Sequence, residues 1–517
     1  YEMLWRDWSS DVCSSDLDIE YIRSRGTTEE KIAAQIERLR RGATALTLDR
    51  PATVGDGIIR VAEDEKPRLV ALHDEAAGAG RCLKFVPASG AATRMFRDWH
   101  AAFNRGGFGS RAEFEAFAES LPRYAFYEDL RAALSKAGRP AAAPAAEGGE
   151  REILDFILNE RGLHYACKPK ALLKFHRYGD TARTALEEHL VEAALYVKDR
   201  SGRCRMHVTV SAEHLAPVRE LIERVRGDYE RRFGVHYEIG LSVQGESTDT
   251  IAVDLENRPF RARDGRLLFR PGGHGALLYN LQAIEGDIVF VKNIDNVVPD
   301  RLKDTTVLYK KILGGVLVAL QRELFGRLRA LSDPSAGESV LAEAAVFAAG
   351  RLTCRLPPGF EGRPTEERRQ ILMNALDRPL RVCGMVQNEG EPGGGPFWVQ
   401  EPDGGCSLQI VEEVQVDKRQ AGQAEIWASS THFNPVDLAC GVRDFRGRPF
   451  DLERFVAPDQ VFISVKSHEG RDIKALELPG LWNGSMAHWH TVFVEVPIET
   501  FNPVKTVDDL LRPAHRP

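Results

Sequence analysis

The sequence predicts an α/β protein with large helical insertions. Between residues 83 and 243, short apolar strands alternate with helical segments, which is typical of an α/β sheet. After about residue 381, strand-like segments dominate. The chain has 517 residues, of which 43% are hydrophobic and 28% charged, so it can bury a sizeable core. Since a single packed unit of this length is unusual, we expect a main domain enlarged by insertions.

Each element is predicted from its hydrophobic period and its end signals. A helix begins at Thr27, with Glu30 completing a capping box, and it ends at Gly42. Helical segments are also expected at 97–166, with a linker at 140–149, and at 213–233 and 301–376. Strands are expected at 83–87, 207–210, 237–243, 287–291, 381–386, 408–416, 424–428, 461–466 and 491–496.

Composition excludes several classes of function. The net charge of −7 and the pI near 6.1 give no basic footprint, so we expect no nucleic-acid partner. No run of about 18 apolar residues occurs, so no membrane span is predicted. The eight cysteines are scattered without a Cys-x-x-Cys pair, which favours reduced thiols in a cytoplasm over a zinc site or a disulfide framework.

The turn at 88–95 is the first candidate site. An apolar strand opens there through Ala-Ser-Gly-Ala-Ala-Thr into Arg94, and a helix is expected to follow. Small residues around Gly90 let a phosphate approach the backbone N–H groups, and Arg94 can pair with phosphate oxygens bidentately. A turn of small residues is equally often a packing feature. The turn lacks the Gly-x4-Gly-Lys-Ser/Thr pattern, which disfavours an ATPase or kinase of that type.

A glycine-rich turn and a strand end are the next candidates. Pro271–Gly275 contains three glycines, which permit close contact with a flat ligand such as a base, although it can equally be an ordinary turn containing a structural His274. Asp295 follows an apolar strand and is flanked by Asn293 and Asn296. Ligands bind beyond the carboxyl ends of strands in open α/β sheets, and a carboxylate there suits a hard cation. The alternative is a turn whose Asp and Asn side chains bond their own backbone.

Two lysines complete the set of candidates. Lys170 follows the stiff residue Pro169, and Lys505 lies between an apolar anchor and a short helix in the segment 500–511. Lys170 would point from a rigid element into a site, although a lysine pair such as Lys168 and Lys170 is usually a solvated face. Lys505 could neutralise phosphate charge, but as a lone feature it says little.

The order of these segments resembles the nucleotide-sugar pyrophosphorylases, most closely those that make UDP-glucose. The resemblance runs discontinuously from about residue 81 to 511, and its most specific part pairs Pro-Gly-Gly-His-Gly with Asn-Ile-Asp-Asn. The chain is more similar still to an uncharacterised bacterial family of unknown function assigned to the same superfold. The resemblance implies a nucleotide-diphospho-sugar transferase fold, which is Rossmann-like with a mixed central sheet.

The resemblance also implies a reaction and a role for each matching residue. A nucleoside triphosphate, UTP favoured, would be joined to a sugar 1-phosphate with Mg²⁺ and release of pyrophosphate. Asp295 would hold the metal, and the catalytic residues would be Arg94, Lys170 and Lys505. Sugar hydroxyls would be held by Glu412 and Asn434. The nucleotide would be bound by Ser89, Gly90, Ala91, Thr93, Gln244, Gly273, His274 and Gly275.

The resemblance divides the chain into parts. Residues 18–80 form an N-terminal helical region, 81–300 a nucleotide-binding core with the insertion 97–166, 301–380 a helical insertion, and 381–517 the β-rich sugar side. Residues 1–17 resemble translated sequencing-adapter DNA, in which Ser-Ser-Asp occurs twice, and are expected to be disordered. The other interpretation of this segment is a natural disordered tail.

Three other hypotheses remain open at this stage. Ala91-Ala92 stands where the family usually keeps a further glycine, which favours a non-catalytic nucleotide or sugar-phosphate sensor as the main alternative. The helical insertions at 97–166 and 301–376 could bind a protein partner. A metal hydrolase could use a set of histidines, two of which share a predicted strand face: His432, His468, His488 and His490.

Overall fold

The computed structural model describes residues 16–90, 92–139, 149–390 and 393–516. Its helices, α1 to α14 in chain order, are Asp16–Ser24, Glu29–Arg41, Lys66–Gly78, Arg97–Arg105, Arg111–Ser120, Tyr127–Lys136, Glu150–Leu158, Ala185–Tyr196, Leu215–Phe233, Leu277–Gln282, Lys303–Leu331, Glu338–Leu352, Thr365–Leu376 and Gln423–Ala428. Its strands, β1 to β19, are Leu48–Pro51, Thr53–Val54, Gly57–Ile59, Cys82–Pro87, Lys174–Tyr178, Thr181–Thr184, Arg203–Val210, His236–Val243, Thr250–Val253, Phe269–Arg270, Ile288–Lys292, Leu380–Gln387, Gly395–Gln400, Cys406–Val411, His432–Phe433, Asp437–Gly441, Phe462–His468, Arg471–Glu477 and His490–Glu495.

A mixed sheet lies at the centre of the described chain. Its strands follow the order β2-β3-β19-β12-β16-β11-β4-β7-β8, and β15 pairs with β12 beside this path. Only β16 runs antiparallel to its neighbours along the path. The α/β class, the mixed central sheet and the large helical insertions are therefore confirmed.

Both faces of the central sheet are buried. Along β4, Phe85 packs into one apolar cluster and Val86 into the other, as the alternation of side chains along a strand requires. The long helix α11 covers one face and crosses α3 closely, since a Cβ at Gly315 would lie 2.1 Å from the carbonyl oxygen of Leu69. This burial explains why the central strands were visible as continuous apolar runs.

Three smaller sheets accompany the central one. β1, β13 and β14 form one sheet, β10, β9, β18 and β17 form a second, and β5 pairs with β6. In the second sheet, β9 packs against α2 through a cluster that includes Ile32 and Ile251. Two of these sheets carry strands that lead into predicted site segments: β10 directly precedes the glycine-rich turn, and β14 directly precedes Glu412.

The helical insertion after β4 packs around aromatic side chains. Trp99 makes edge contacts with Phe117 and Tyr124, with ring centroids 5.1 and 5.6 Å apart. The Tyr124 hydroxyl donates to Asp508 at 2.9 Å, so the insertion is tied to the C-terminal segment. Of the predicted linker at 140–149, only residue 149 belongs to the described chain.

One predicted strand is wrong, and another ends earlier than predicted. Residues 424–428 form the helix α14, because Gly422 turns the chain at φ +79° and the Gln423 amide bonds both backbone groups of Leu48, at 2.8 and 3.0 Å. The strand predicted at 408–416 ends at Val411. There the Gln415 side chain accepts from the Glu412 N–H at 3.0 Å and closes a short 3₁₀ turn.

The first predicted helix is confirmed with a different cap. Thr28, not Thr27, precedes the helix, and its hydroxyl accepts from the Lys31 N–H at 3.3 Å. The predicted capping box of Thr27 and Glu30 does not form, because the residue three positions after the Thr28 cap is Lys31, whose side chain cannot accept a hydrogen bond. Gly42 ends the helix as predicted, at φ +82°.

Three findings concern the predictions about membrane spans, cysteines and the N-terminal segment. Within the described ranges, no helix is both long and apolar enough to cross a membrane. The seven cysteines of those ranges are free. Residues 1–15 of the segment predicted as adapter lie outside the described residues, whereas Asp16 and Leu17 begin α1.

Candidate functional site

Four parallel strands bring predicted site residues to one edge of the central sheet. β11, β4, β7 and β8 are consecutive and parallel, so their carboxyl ends lie at the same edge. The turn at 88–95 follows β4, Gln244 follows β8, and Asn293–Asn296 follows β11. This is the edge at which open α/β sheets bind ligands.

Lys170 connects three segments that are far apart in sequence. Its ammonium donates to the Asp295 carboxylate and to the carbonyl oxygen of Val504, each at 2.7 Å. The Val504 N–H in turn donates to the Asp295 carbonyl oxygen at 3.0 Å. The side chains of Lys170 and Asp295 remain 17% and 20% exposed, so both can be reached by a ligand. The structure thus brings together two predicted site residues and the segment that carries Lys505.

The segment 497–511, which we call the C-terminal strap, lies directly against this edge. The Asn296 side chain accepts from the Asn502 N–H at 2.9 Å and donates to Thr500 at 3.4 Å. Further along, the Val507 N–H donates to the Met95 carbonyl oxygen at 3.1 Å. Lys505 lies between these two attachments, and its side chain is exposed. The strap therefore presents Lys505 beside the turn that carries Arg94.

The turn at 88–95 differs in detail from its prediction. A 3₁₀ turn at Ala92–Arg94 comes first, and α4 begins only at Arg97, so no α-helix N-terminus follows Gly90 directly. The Ala92 N–H donates to Lys168 at 3.1 Å, which fixes this turn to the lysine segment. Arg94 is exposed and has no ion pair with the described acidic residues.

The other predicted residues of this turn differ in their surroundings. The Thr93 hydroxyl donates to Ala166 at 3.4 Å, and Ser89 is half-buried. A Cβ at Gly90 would meet no heavy atom within 4 Å, so the space beside it is open. Ala91 lies outside the described residues.

Gln244 has an unsatisfied amide. Its Nε2 is buried and has no hydrogen-bond partner among the described residues. Asn280, on the helix that follows the glycine-rich turn, donates to the Val243 carbonyl oxygen at 3.0 Å and holds the end of β8. A buried amide without a partner is rare, and a ligand can satisfy it. Gln244 is therefore well placed to read a bound group.

The glycine-rich turn is a close approach between backbones. A Cβ at Gly272 would lie 2.4 Å from the Thr248 carbonyl oxygen, and one at Gly275 would lie 2.2 Å from that of Pro479. Gly273 has φ +72°, a region that favours glycine. Close backbone packing thus explains why glycine stands at positions 272 and 275, in agreement with the ordinary-turn interpretation. Within this turn, Gly273 and His274 remain as candidates for contact with a ligand.

Replacing Gly275 with alanine is expected to lower the free energy of unfolding by about 1–3 kcal/mol, because the added Cβ overlaps a backbone carbonyl that cannot rotate away. Thermal unfolding measures this loss. Gly326→Ala is the matched control, since a Cβ at that helical glycine meets nothing within 4 Å. A Gly275→Ala protein as stable as the control would contradict the close approach.

His274 joins the glycine-rich turn to the Glu412 segment. Its ring stacks on Trp482 with centroids 4.3 Å apart, its Nδ1 accepts from the Leu481 N–H at 3.2 Å, and its Nε2 lies 3.8 Å from the Glu412 carboxylate. Burial lowers the pKa of His274 to about 4, so the ring is neutral at neutral pH. Burial also raises the pKa of the Glu412 carboxyl. These two predicted residues thus share one wall of the site.

Asn434 lies close to Glu412. Its N–H donates to the Gly394 carbonyl oxygen at 2.8 Å, and a Cβ at Gly394 would lie 3.5 Å from the Glu412 side chain. The Asn434 carboxamide oxygen accepts from Val436, while its Nδ2 is buried without a described partner. Glu412 and Asn434 therefore form a second polar cluster with an unused donor.

A cluster of buried charged side chains lies on the strands that lead to the carboxyl edge. Lys84 on β4 and Lys292 on β11 both donate to Glu192 on α8, each at 2.8 Å, and all three side chains are essentially inaccessible. Burial lowers the pKa of Lys84 to about 7. Burial alone would raise the pKa of Glu192, yet the two lysines hold it well below its usual range. From the same helix, the His189 imidazole bonds the Ile294 carbonyl oxygen at 3.2 Å, beside Asp295.

The histidines of the hydrolase hypothesis do not form a metal centre. His490 begins β19 and is bonded to the Leu376 carbonyl oxygen at 3.1 Å, whereas His488 precedes the strand. Within the described parts of the chain, no group of three or more His, Cys, Asp or Glu side chains is arranged to hold a metal ion. A metal held by Asp295 would therefore take its remaining ligands from substrate and water.

Comparison with known proteins gives a family. Residues 15–516 match the model of a family described as Domain of unknown function (DUF4301). The chain belongs to this family. No curated protein matches it.

The DUF4301 chain is similar to several solved structures at low sequence identity. UDP-glucose pyrophosphorylase from Leishmania major is 14% identical with a TM-score of 0.45, covering 96% of this chain and 77% of that one. UDP-glucose phosphorylase from Trypanosoma brucei is 13% identical with a TM-score of 0.46, covering 96% and 77%. The uridine diphosphate N-acetylglucosamine pyrophosphorylase of Trypanosoma brucei is 13% identical with a TM-score of 0.48, covering 93% and 74%.

Sequence reasoning missed two residues of this candidate site. Trp482 forms the stacking surface under His274, and Gly480 lets its loop pass the ring, since a Cβ there would lie 2.5 Å from the imidazole. The run Pro-Gly-Leu-Trp-Asn-Gly at 479–484 carried the signal, because glycine and proline around a tryptophan indicate an ordered loop.

Proposed function

We propose that this protein is a Mg²⁺-dependent nucleotidyltransferase that joins a nucleoside triphosphate, UTP favoured, to a sugar 1-phosphate and releases pyrophosphate. The observation that carries the proposal is the contact of Lys170 with Asp295 and Val504 at the carboxyl edge of the sheet. In this contact, Lys170 supplies a cation for phosphate, Asp295 supplies a carboxylate for a metal, and Val504 belongs to the C-terminal strap that carries Lys505. The free cysteines fit the expected cytoplasmic setting.

The reaction needs positioned charges rather than a covalent intermediate. An oxygen of the sugar phosphate attacks the α-phosphorus, the bond from that phosphorus to the bridging oxygen of the β-phosphate breaks, and pyrophosphate leaves with the electron pair. Arg94 and Lys170 would hold the triphosphate, and Lys505 the sugar phosphate. Cations fixed before the reaction stabilise the charge that develops in the transition state.

The polar groups on the two walls suit the remaining parts of the substrates. We assign the buried, unsatisfied amide of Gln244 and the Gly273–His274 turn to the base. Glu412 and Asn434 are assigned to sugar hydroxyls, since Asn434 keeps an unused donor and Glu412 an acceptor. Because His274 contacts Trp482 and lies near Glu412, base and sugar would bind on adjoining surfaces.

The residues present fit a magnesium ion whose coordination is completed by substrate phosphate oxygens and water. Mg²⁺ is usually held by one or two carboxylates together with phosphate oxygens and water. Asp295 offers one carboxylate, of which one oxygen accepts from Lys170. When bound, the metal would neutralise phosphate charge at the α-phosphorus. The role of the chain is to hold Asp295, through Val504 and the buried cluster below.

Replacing Gln244 with alanine is expected to weaken binding of the preferred nucleotide about tenfold and to reduce discrimination between bases, because one buried donor is removed. Thermal shift against the four nucleoside triphosphates with Mg²⁺ measures this. Gln370→Ala is the control, since Gln370 is exposed on α13. Base selectivity unchanged in Gln244→Ala would remove Gln244 from the base site, and no shift with any nucleotide in the wild type would contradict the proposed function.

A non-catalytic nucleotide sensor is the second candidate. Two observations favour it. The Asp295 carboxylate already accepts a hydrogen bond from Lys170, and no group of three or more His, Cys, Asp or Glu side chains among the described residues could hold a metal ion. A sensor would show the same selective thermal shift without releasing pyrophosphate, so turnover separates the two functions.

A further inference from the structure

A second cavity lies at the opposite edge of the central sheet. It has a volume of about 350 Å³ and opens where β12 and β19 begin. In the sheet register, Leu380 of β12 is paired with Gly441 of β16, which is paired with Ile288 at the start of β11. The cavity is therefore at the amino edge, whereas Asp295 follows the carboxyl end of β11.

The cavity collects basic groups without acidic partners. Arg355 and Arg378 line it and form no salt bridge with a described acidic residue; the Arg378 Nε–H donates to the Asn374 carbonyl oxygen at 3.5 Å. Trp489 also lines it, and its indole N–H is buried without a described hydrogen-bond partner. Cations left unpaired beside an unsatisfied buried donor indicate a site for an anion.

The acidic groups of the cavity are already engaged. Glu401 accepts from the Ser407 hydroxyl at 2.5 Å and from the Gln409 amide at 3.1 Å. Asp403 accepts from the Gly405 N–H at 2.9 Å. Arg355 and Asp403 lie on either side of Gly405, where an added Cβ would be 2.9 Å from the Arg355 guanidinium and 3.1 Å from the Asp403 carboxylate, but they form no salt bridge with each other. The acids keep oxygen atoms that can accept from ligand hydroxyls.

We propose that this cavity binds a small phosphorylated molecule that carries hydroxyl groups. Two guanidinium groups and an unsatisfied indole N–H on the cavity lining are donors of the kind that bind phosphate oxygens, and arginine binds such oxygens bidentately. The Glu401–Ser407 pair would take the hydroxyls. The volume lies within the range of about 300–1,000 Å³ that small-molecule sites occupy.

The position of the cavity gives such a ligand a physical connection to the site at the carboxyl edge. β14 begins at the cavity with Cys406 and ends at Val411, directly before Glu412. The segment from Trp482, under His274, leads in seven residues to Trp489 in the cavity wall. A bound ligand would therefore contact the two segments that hold His274 and Glu412.

Isothermal titration of the full chain with glycerol 3-phosphate, a hexose 6-phosphate and inorganic phosphate tests the proposal. The phosphorylated hydroxyl compounds should bind more tightly than inorganic phosphate. The double variant Arg355→Ala, Arg378→Ala should lose about tenfold or more in affinity, as expected when charged hydrogen bonds are removed. Arg329→Ala is the control, because Arg329 is exposed on α11 without a described partner.

Two further variants keep the test decisive. Lys170→Ala alters the carboxyl edge, so binding that survives in it but fails in the double variant belongs to the second cavity. If the double alanine variant does not fold, Arg355→Lys with Arg378→Lys keeps the charge and should still weaken binding through loss of the planar fork. Binding unaffected by both pairs of substitutions, equal affinity for inorganic phosphate, or no binding by the wild type would overturn the proposal.

Discussion

Asp295→Ala is expected to lower the rate of Mg²⁺-dependent pyrophosphate release by about 10²–10³-fold, because one preorganised group that stabilises charge in the transition state is removed. The fold should stay intact, since the Asp295 side chain is at the surface of the site and Lys170 keeps its bond to Val504. Steady-state assays with varied Mg²⁺ measure the rate, and circular dichroism checks the fold.

Asp304→Ala is the matched control for this variant. Asp304 is an exposed acid in the first turn of α11, and its side chain makes no hydrogen bond or salt bridge with a described residue. Its replacement should leave the rate within about twofold of the wild type, as is usual for an exposed surface residue. Turnover of Asp295→Ala at the control rate would remove the metal role of Asp295 and, with it, the main catalytic assignment.

Glu192→Ala is expected to cost about 3–5 kcal/mol of unfolding free energy, because it leaves the charges of Lys84 and Lys292 buried without their partner. Urea unfolding should show a clearly lower midpoint. Glu323→Ala removes an exposed carboxylate from α11 as a control, with an expected cost below about 1 kcal/mol. Equal midpoints for the two variants would show that the buried cluster contributes nothing.

A conservative variant distinguishes charge from packing at this position. Glu192→Gln keeps the shape and one acceptor oxygen but removes the negative charge. It should be destabilised almost as strongly as Glu192→Ala if the two buried ammonium groups are the cause. Near wild-type stability of Glu192→Gln would instead point to the lost volume.

The fold was largely predictable because its central strands are buried on both faces. Strands such as β4 and β11 form largely apolar, buried runs whose length and flanking turns identify them. The segment 424–428 failed because its helix depends on the bonds between Gln423 and Leu48, which lie 375 positions apart. Short elements set by such distant contacts carry no local signal.

The site was predictable in its parts but not in its connections. Asp295 and the turn at 88–95 were found because each follows an apolar strand. The bond between Lys170 and Asp295 joins residues 125 positions apart, and no spacing rule gives it. Only the order of motifs, through the family resemblance, suggested that Lys170, Asp295 and Lys505 belong together.

The buried charges show another limit of the sequence. Lys84 lies inside an apolar strand, which indicates a special environment. Its partner Glu192 is on α8, 108 positions away, in a helix that is buried on nearly all sides. The pairing could be known only once the helix was placed on the sheet.

Pyrophosphorolysis is the measurement that tests the central claim most directly. The full chain is incubated with pyrophosphate, Mg²⁺ and each of a panel of UDP-, ADP-, GDP- and dTDP-sugars, and nucleoside triphosphate is measured. We predict triphosphate from one UDP-sugar at a rate lost in both Asp295→Ala and Lys170→Ala. Folded, nucleotide-binding protein that forms no triphosphate from any nucleotide sugar would contradict the transferase and leave the sensor.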